Sequence, residues 1–95
     1  MINLDQAQKV IAQIHQPFFD SHDFIEQFSK DFEKEYVEML FEKKEATNGI
    51  FRTTHAEIGR FLSKNQTALG ILSKKKITSL NIKGYLSDNQ EWQKL

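Results

Sequence analysis

Ninety-five residues, 39% hydrophobic with eight phenylalanines, suffice for one small domain with a modest core, not for two. The lack of cysteine excludes disulfides and thiolate metal sites. With no apolar run of membrane-span length and no basic, apolar leader in residues 1–5, a cytoplasmic protein is expected. The formal charge of zero is divided: residues 1–47 hold five lysines against ten acids, residues 48–95 hold eight basic residues against three acids, and residues 58–87 carry no acid.

Taken in chain order, residues 4–15 predict a first helix, because Leu4, Ala7, Val10, Ile11 and Ile14 recur at helical spacing. Asn3 or Asp5 can cap its start, and Pro17 disfavours helix at Gln16. Phe18 and Phe19 follow in a connector and are expected to plug the core. Residues 21–43 predict a long second helix. Its stripe is Phe24, Ile25, Phe28, Phe32, Tyr36, Met39 and Leu40, with Asp20 or Ser21 as the cap. Residues 45–53 predict a loop around the turn signal Asn48-Gly49. Thr54 followed by Glu57 matches a capping box for a third helix over residues 54–62.

Residues 63–65 predict a tight turn, after which Asn65 can cap a short fourth helix starting at Gln66 and closed by Gly70. Beyond Ile71 the pattern fits either a hairpin of residues 71–73 and 77–80 around the three lysines, or a helix capped by Ser79. The helix, with Leu80, Ile82, Tyr85 and Leu86 inside, is the preferred expectation, although Gly84 would weaken it by about 1 kcal/mol. Residues 87–89 predict a turn and residues 90–95 a final short segment, with Trp92 a lid on the core. The expected fold is all-α: a small bundle of four or five helices, one domain over residues 1–95, with an acidic half to residue 47 and a basic half from residue 48.

Two short helices joined by a turn inside the basic half resemble the helix-turn-helix, which lays its second helix in the major groove of DNA. Ile58, Gly59 and Leu62 match the apolar, small and apolar positions of the motif's first helix, and Leu69 and Leu72 match the apolar pair of its second. Residues 54–62 are also similar to the first helix of phage-repressor-like domains. The match departs at Ser63, where glycine is usual, and at Lys64, where an apolar residue is usual. The resemblance implies that Asn65, Gln66, Thr67 and Ser73 contact bases, and that Arg60, Lys64, Lys74, Lys75, Lys76 and Lys83 contact phosphates.

Other constellations point to no chemistry. His15, His22 and His55 have no metal-ligand spacing, and Asp20, His22, Asp23 and Glu26 read as helix-start residues favoured by the helix dipole. No catalytic residue, cofactor site, metal site or small-molecule substrate is expected, and neither is an enzyme. The expected function is a small DNA-binding or transcription-regulatory protein of the kind bacteria and phages encode. Its partners would be duplex DNA and a second copy docked along the long helix, where Val37 and Phe41 lie beside the main stripe. The alternative is a protein-interaction module, such as an adaptor, inhibitor or antitoxin-like regulator, that binds no nucleic acid.

Overall fold

A computed structural model describes all residues of the chain and gives an α+β fold of five helices and a three-stranded antiparallel sheet. The helices are α1 (Leu4–Gln13), α2 (Ser21–Asp31), α3 (Glu33–Glu42), α4 (Ile50–Lys64) and α5 (Gln66–Leu69). The strands are β1 (Phe18–Asp20), β2 (Ile71–Leu80) and β3 (Leu86–Lys94), in the order β1-β3-β2. The expectation of an all-α bundle is therefore overturned.

The first third of the chain follows its hydrophobic period. Asn3 caps α1 through a capping box: its Oδ1 accepts from Gln6 N at 2.8 Å while Gln6 Oε1 accepts from Asn3 N at 3.1 Å. Ala7, Val10 and Ile11 face inward. Asp20 and Asp23 form the same reciprocal box at the head of α2, at 2.8 and 3.0 Å, which satisfies two orphan amides of the helix start. The Phe18-Phe19 connector is a strand: Phe19 is buried, Phe18 is largely exposed, and both pair with β3.

The long second helix is two helices. At Phe32 the backbone leaves the helical region (φ −132°, ψ 55°), ending α2 and starting α3. Neither glycine nor proline marks the break. Packing supplies a reason: Phe28 and Tyr36 meet edge to face with ring centroids 6.2 Å apart, although eight residues of straight helix would separate them by about 12 Å along the axis. Bending the chain brings their rings together over the core, with Phe32 beside Phe28 at 5.9 Å.

The presumed loop over residues 45–53 ends early, because Gly49 (φ +100°) starts α4 at Ile50. This conformation is open to glycine and strained for other residues. Thr54 therefore lies within the helix, buried, with its hydroxyl aimed at the Met39 carbonyl rather than capping. Glu57, released from the capping box, pairs with Lys43 at 3.2 Å and ties the end of α3 to α4.

After α4 comes one turn of helix, α5, closed by Gly70 in the left-handed conformation (φ +66°). From Ile71 the chain is a hairpin, not a helix. Residues 87–89 and 90–94, expected as a turn and a separate segment, belong to β3, and Ser79 lies within β2 rather than at a helix start. The turn is residues 81–85. Asn81 organises it: its Oδ1 accepts from Lys83 N and Tyr85 N, both at 3.0 Å, and Gly84 takes φ +84°. A bulge on β2 between Ser73 and Lys76 re-aims the strand at the three lysines. Trp92 lies in the core as expected, 2% exposed, and its Nε1 donates to Ser21 Oγ at 3.0 Å.

Candidate nucleic-acid interface

The basic half of the chain, which carries the expected base and phosphate contacts, folds as α4, α5 and the hairpin. Its helix-turn-helix pair is not formed as expected. The second helix has four residues, and its partner Leu72 lies on a strand. The four residues expected to read bases form no row on a helix. Asn65 donates from Nδ2 to the Phe61 carbonyl at 2.7 Å. Gln66 donates to the Ser63 carbonyl at 3.1 Å and accepts from Ser73 N at 2.9 Å. Asn65 and Gln66 are thus bonded to backbone groups at the end of α4 and the start of β2, whereas the Thr67 and Ser73 hydroxyls make no hydrogen bond within the chain.

The hairpin instead packs its distal part against the N-terminus of α2 through polar groups. His22 N donates to Asn89 Oδ1 at 2.9 Å. Asn89 Nδ2 donates to Ser79 Oγ at 3.1 Å and to the Ile77 carbonyl at 3.4 Å. The His22 ring lies between two hydroxyls, with Nδ1 2.7 Å from Ser79 Oγ and Nε2 3.2 Å from Ser87 Oγ. Asn89 is buried and all its polar atoms are engaged, so the cluster fixes the position of the arm relative to the body.

Beside it, His55 of α4 stacks on Tyr36 (centroids 5.9 Å, 16° between planes) with Nε2 2.7 Å from Tyr36 Oη. Burial raises the Tyr36 phenol to about 12. Burial, reinforced by the positive charge of His22 and Lys83, lowers His55 to about 4. At neutral pH the phenol therefore keeps its proton and shares a hydrogen bond with a neutral imidazole.

These two histidines floor a groove between α4 and the hairpin, formed by two adjoining hollows that share His22, His55 and Asp88. Arg60 and Lys76 line one hollow, and Arg52 and Lys83 the other. Four cations thus face one acid, Asp88, which accepts a hydrogen bond from Thr78 Oγ1 at 2.6 Å. Lys83 also places its Nζ 4.8 Å from the centre of the Phe51 ring, a cation–π contact that holds the turn toward α4.

Of the six residues expected to contact phosphate, the fold brings Arg60, Lys76 and Lys83 to this groove. Lys74 and Lys75 stand at the bulge beside Glu91, and Lys64 lies at the far end of α4 near Thr67 and Leu72. Sequence reasoning missed Arg52, which had been placed in a loop, and it missed the roles of His22, His55 and Asn89. For Arg52 a signal existed: Arg52 and Arg60 are eight residues apart, and Phe51, Ile58 and Leu62 extend the apolar spacing of the helix backward.

No helix is long and apolar enough to cross a membrane. No protein-family model matches the chain, and no curated protein or solved structure was found similar to it.

Proposed function

We propose that this protein is a small DNA-binding protein of regulatory type that holds duplex DNA through the α4–hairpin groove and the lysines of β2. The observation that carries the reading is the convergence of Arg52, Arg60, Lys76 and Lys83 on one groove with a single carboxylate. Lys74 and Lys75 extend it along the outer edge of the sheet. Fixed cations of one sign in a concave surface attract a polyanion and steer its approach. The groove holds no nucleophile paired with a charged base: His22 is bonded to the hairpin hydroxyls of Ser79 and Ser87 and His55 to Tyr36, which favours binding over catalysis.

The test is binding to a mixed-sequence duplex across salt concentration. With four phosphate contacts, affinity falls by about 100-fold between about 50 and 200 mM salt. Absence of binding at the low end would overturn the reading. Replacing Lys74, Lys75 and Lys76 together with alanine weakens all sequences about equally.

A second reading has its own observation. On α3, Val37 and Phe41 are exposed one turn apart among Glu33, Glu35, Glu38 and Glu42. An exposed apolar pair with four acids on the same helix, and with Lys44 Nζ 4.5 Å from the centre of the Phe41 ring, suits a protein surface of mixed charge or a second copy of the chain. Val37→Lys with Phe41→Lys would abolish such an association and leave duplex binding intact.

A further inference from the structure

Beyond Gln90 the hairpin is a two-stranded arm. β1 pairs with β3 only at Gln93, Trp92 and Glu91, so residues 76–80 and 86–90 have each other and no third strand. Five residues a side give an arm of roughly 17 Å.

Toward its tip the faces are reversed from the usual pattern, although Ile77 also faces the body. The side packed against the body carries Ser79, Ser87 and Asn89, while the solvent side carries the cross-strand pair Leu80 and Leu86, at 62% and 71% exposure. In the turn beyond them Tyr85 is 68% exposed and Ile82 also reaches solvent. A one-residue slip in pairing would turn these leucines inward, but the Asn89–His22 network and the Asn81-centred turn hold the register. The apolar tip is thus held outward by specific bonds and has no partner within the chain. Clustered exposed apolar side chains of this kind mark an interaction surface.

Charge identifies the occupant. The groove behind the tip is basic, as is the bulge at the base of the arm, so two tips meeting face to face would repel each other. The cations line two adjoining hollows, Arg60 and Lys76 in one and Arg52 and Lys83 in the other, so they form one continuous basic groove beside the arm. That layout matches a linear polyanion lying along the arm better than a plane touched at its end. Two-stranded ribbons fit the grooves of duplex DNA, and apolar side chains entering from the minor-groove side part a base step and kink the helix.

We propose, resting on the DNA-binding reading above, that the arm is a wedge: its lysines and the groove hold phosphates while Leu80, Leu86 and Tyr85 enter the base stack and bend the duplex. Lys76 lies four residues, roughly 13 Å, behind Leu80, so with the tip at the floor of a groove about 8 Å deep its Cα stays about 5 Å outside and its side chain can reach the phosphates.

The test uses the full chain and the variant Leu80→Ser/Tyr85→Ser/Leu86→Ser, whose exposed sites leave far-UV circular dichroism and thermal midpoint near wild type. The probe is a duplex of about 30 base pairs carrying 2-aminopurine at internal steps and a fluorophore pair at its ends. Wild type raises 2-aminopurine emission and brings the ends closer. The variant binds with the same salt slope, loses on the order of tenfold in affinity, and leaves emission and end distance unchanged. If the variant unstacks and bends the duplex as wild type does, the wedge is overturned and the DNA-binding reading stands. If wild type shows no salt-dependent binding at all, the DNA-binding reading itself falls. Co-sedimentation of wild type but not the variant with phosphatidylserine vesicles, or a dimer in sedimentation velocity that the variant loses, would assign the tip to a bilayer or a second copy and overturn the wedge if duplex emission stays flat.

Discussion

In the helices around the core and in the hairpin arm, the same device, a face of apolar residues, is turned in opposite directions. Along α1 and α2 the apolar stripe of Ala7, Val10, Ile11, Phe24, Ile25 and Phe28 is buried and charged groups face water. Along the arm, Leu80 and Leu86 face water while serines and an asparagine face the body. The helices are held by burial of apolar area, which is non-directional and worth roughly 25 cal/mol per Å². The arm is held by a few directional bonds to His22, each worth about 1 kcal/mol but satisfiable in one register only. Where burial dominates, hydrophobic spacing reveals which face is inside. Where bonds set the register, it does not.

The contrast can be broken most forcefully at Trp92. Trp92→Ala empties a fully packed site and orphans Ser21, and should cost about 3–5 kcal/mol in urea unfolding. A cost below about 1 kcal/mol would mean that the core does not depend on β3. Next comes Asn89→Ala, which leaves the buried His22 amide without its acceptor and should cost about 1–3 kcal/mol. Native-state hydrogen exchange would show residues 76–90 losing protection while α1 and α2 keep theirs. Equal loss in both regions would show that the arm is not a separable unit.

His55 sharpens the comparison through pH. Its folded value of about 4 lies below its ordinary 6.5, so between these values the unfolded chain binds more protons than the folded one. Its contribution to stability is therefore complete above pH 6.5 and lost as pH falls through about 4. His55→Phe, which keeps a ring against Tyr36, should flatten that part of the stability profile; an unchanged profile would place the titration elsewhere. Smaller still is Gln66→Ala, which removes the bonds joining α5 to β2 and should cost about 1 kcal/mol. Because Gln66 is occupied by the backbone, the substitution should not alter preference among DNA sequences, in contrast to what a recognition-helix role implies. The smallest effect is expected at Leu80→Thr, within about 0.5 kcal/mol, since the side chain touches mostly water.

The same contrast explains what could be read from the residues alone. Asn3 and Asp20 announced themselves as caps, Gly70 as a helix stop and Trp92 as core, because each acts through local chemistry or simple burial. The break at Phe32 carried no glycine or proline and follows from an aromatic contact across eight residues. The start of α4 was hidden because Thr54 and Glu57 imitate a cap yet are spent on Met39 and Lys43. A hairpin was one of two readings beyond Ile71, but its extent was obscured by the bulge that interrupts the alternation at the lysines and by the apolar residues exposed at its tip. Leu80, Ile82, Tyr85 and Leu86 looked like the inside of a helix because they are apolar, whereas all four reach solvent and all but Ile82 are more than half exposed. Half of the basic residues reached the groove, because charge was legible in the sequence but its placement required the hairpin.

The strand order β1-β3-β2 has a consequence for how the chain is made. β3 is the central strand and the last of the three in chain order, so during synthesis β1 and β2 have no strand to pair with until residues 86–94 emerge. The helical core can begin to assemble earlier, but Trp92 is among its last residues to arrive. Until then the apolar side chains of α2 lack the cover that β3 gives them, and the nascent chain is in its most aggregation-prone interval. The sheet, although small, therefore sets the moment at which folding can finish.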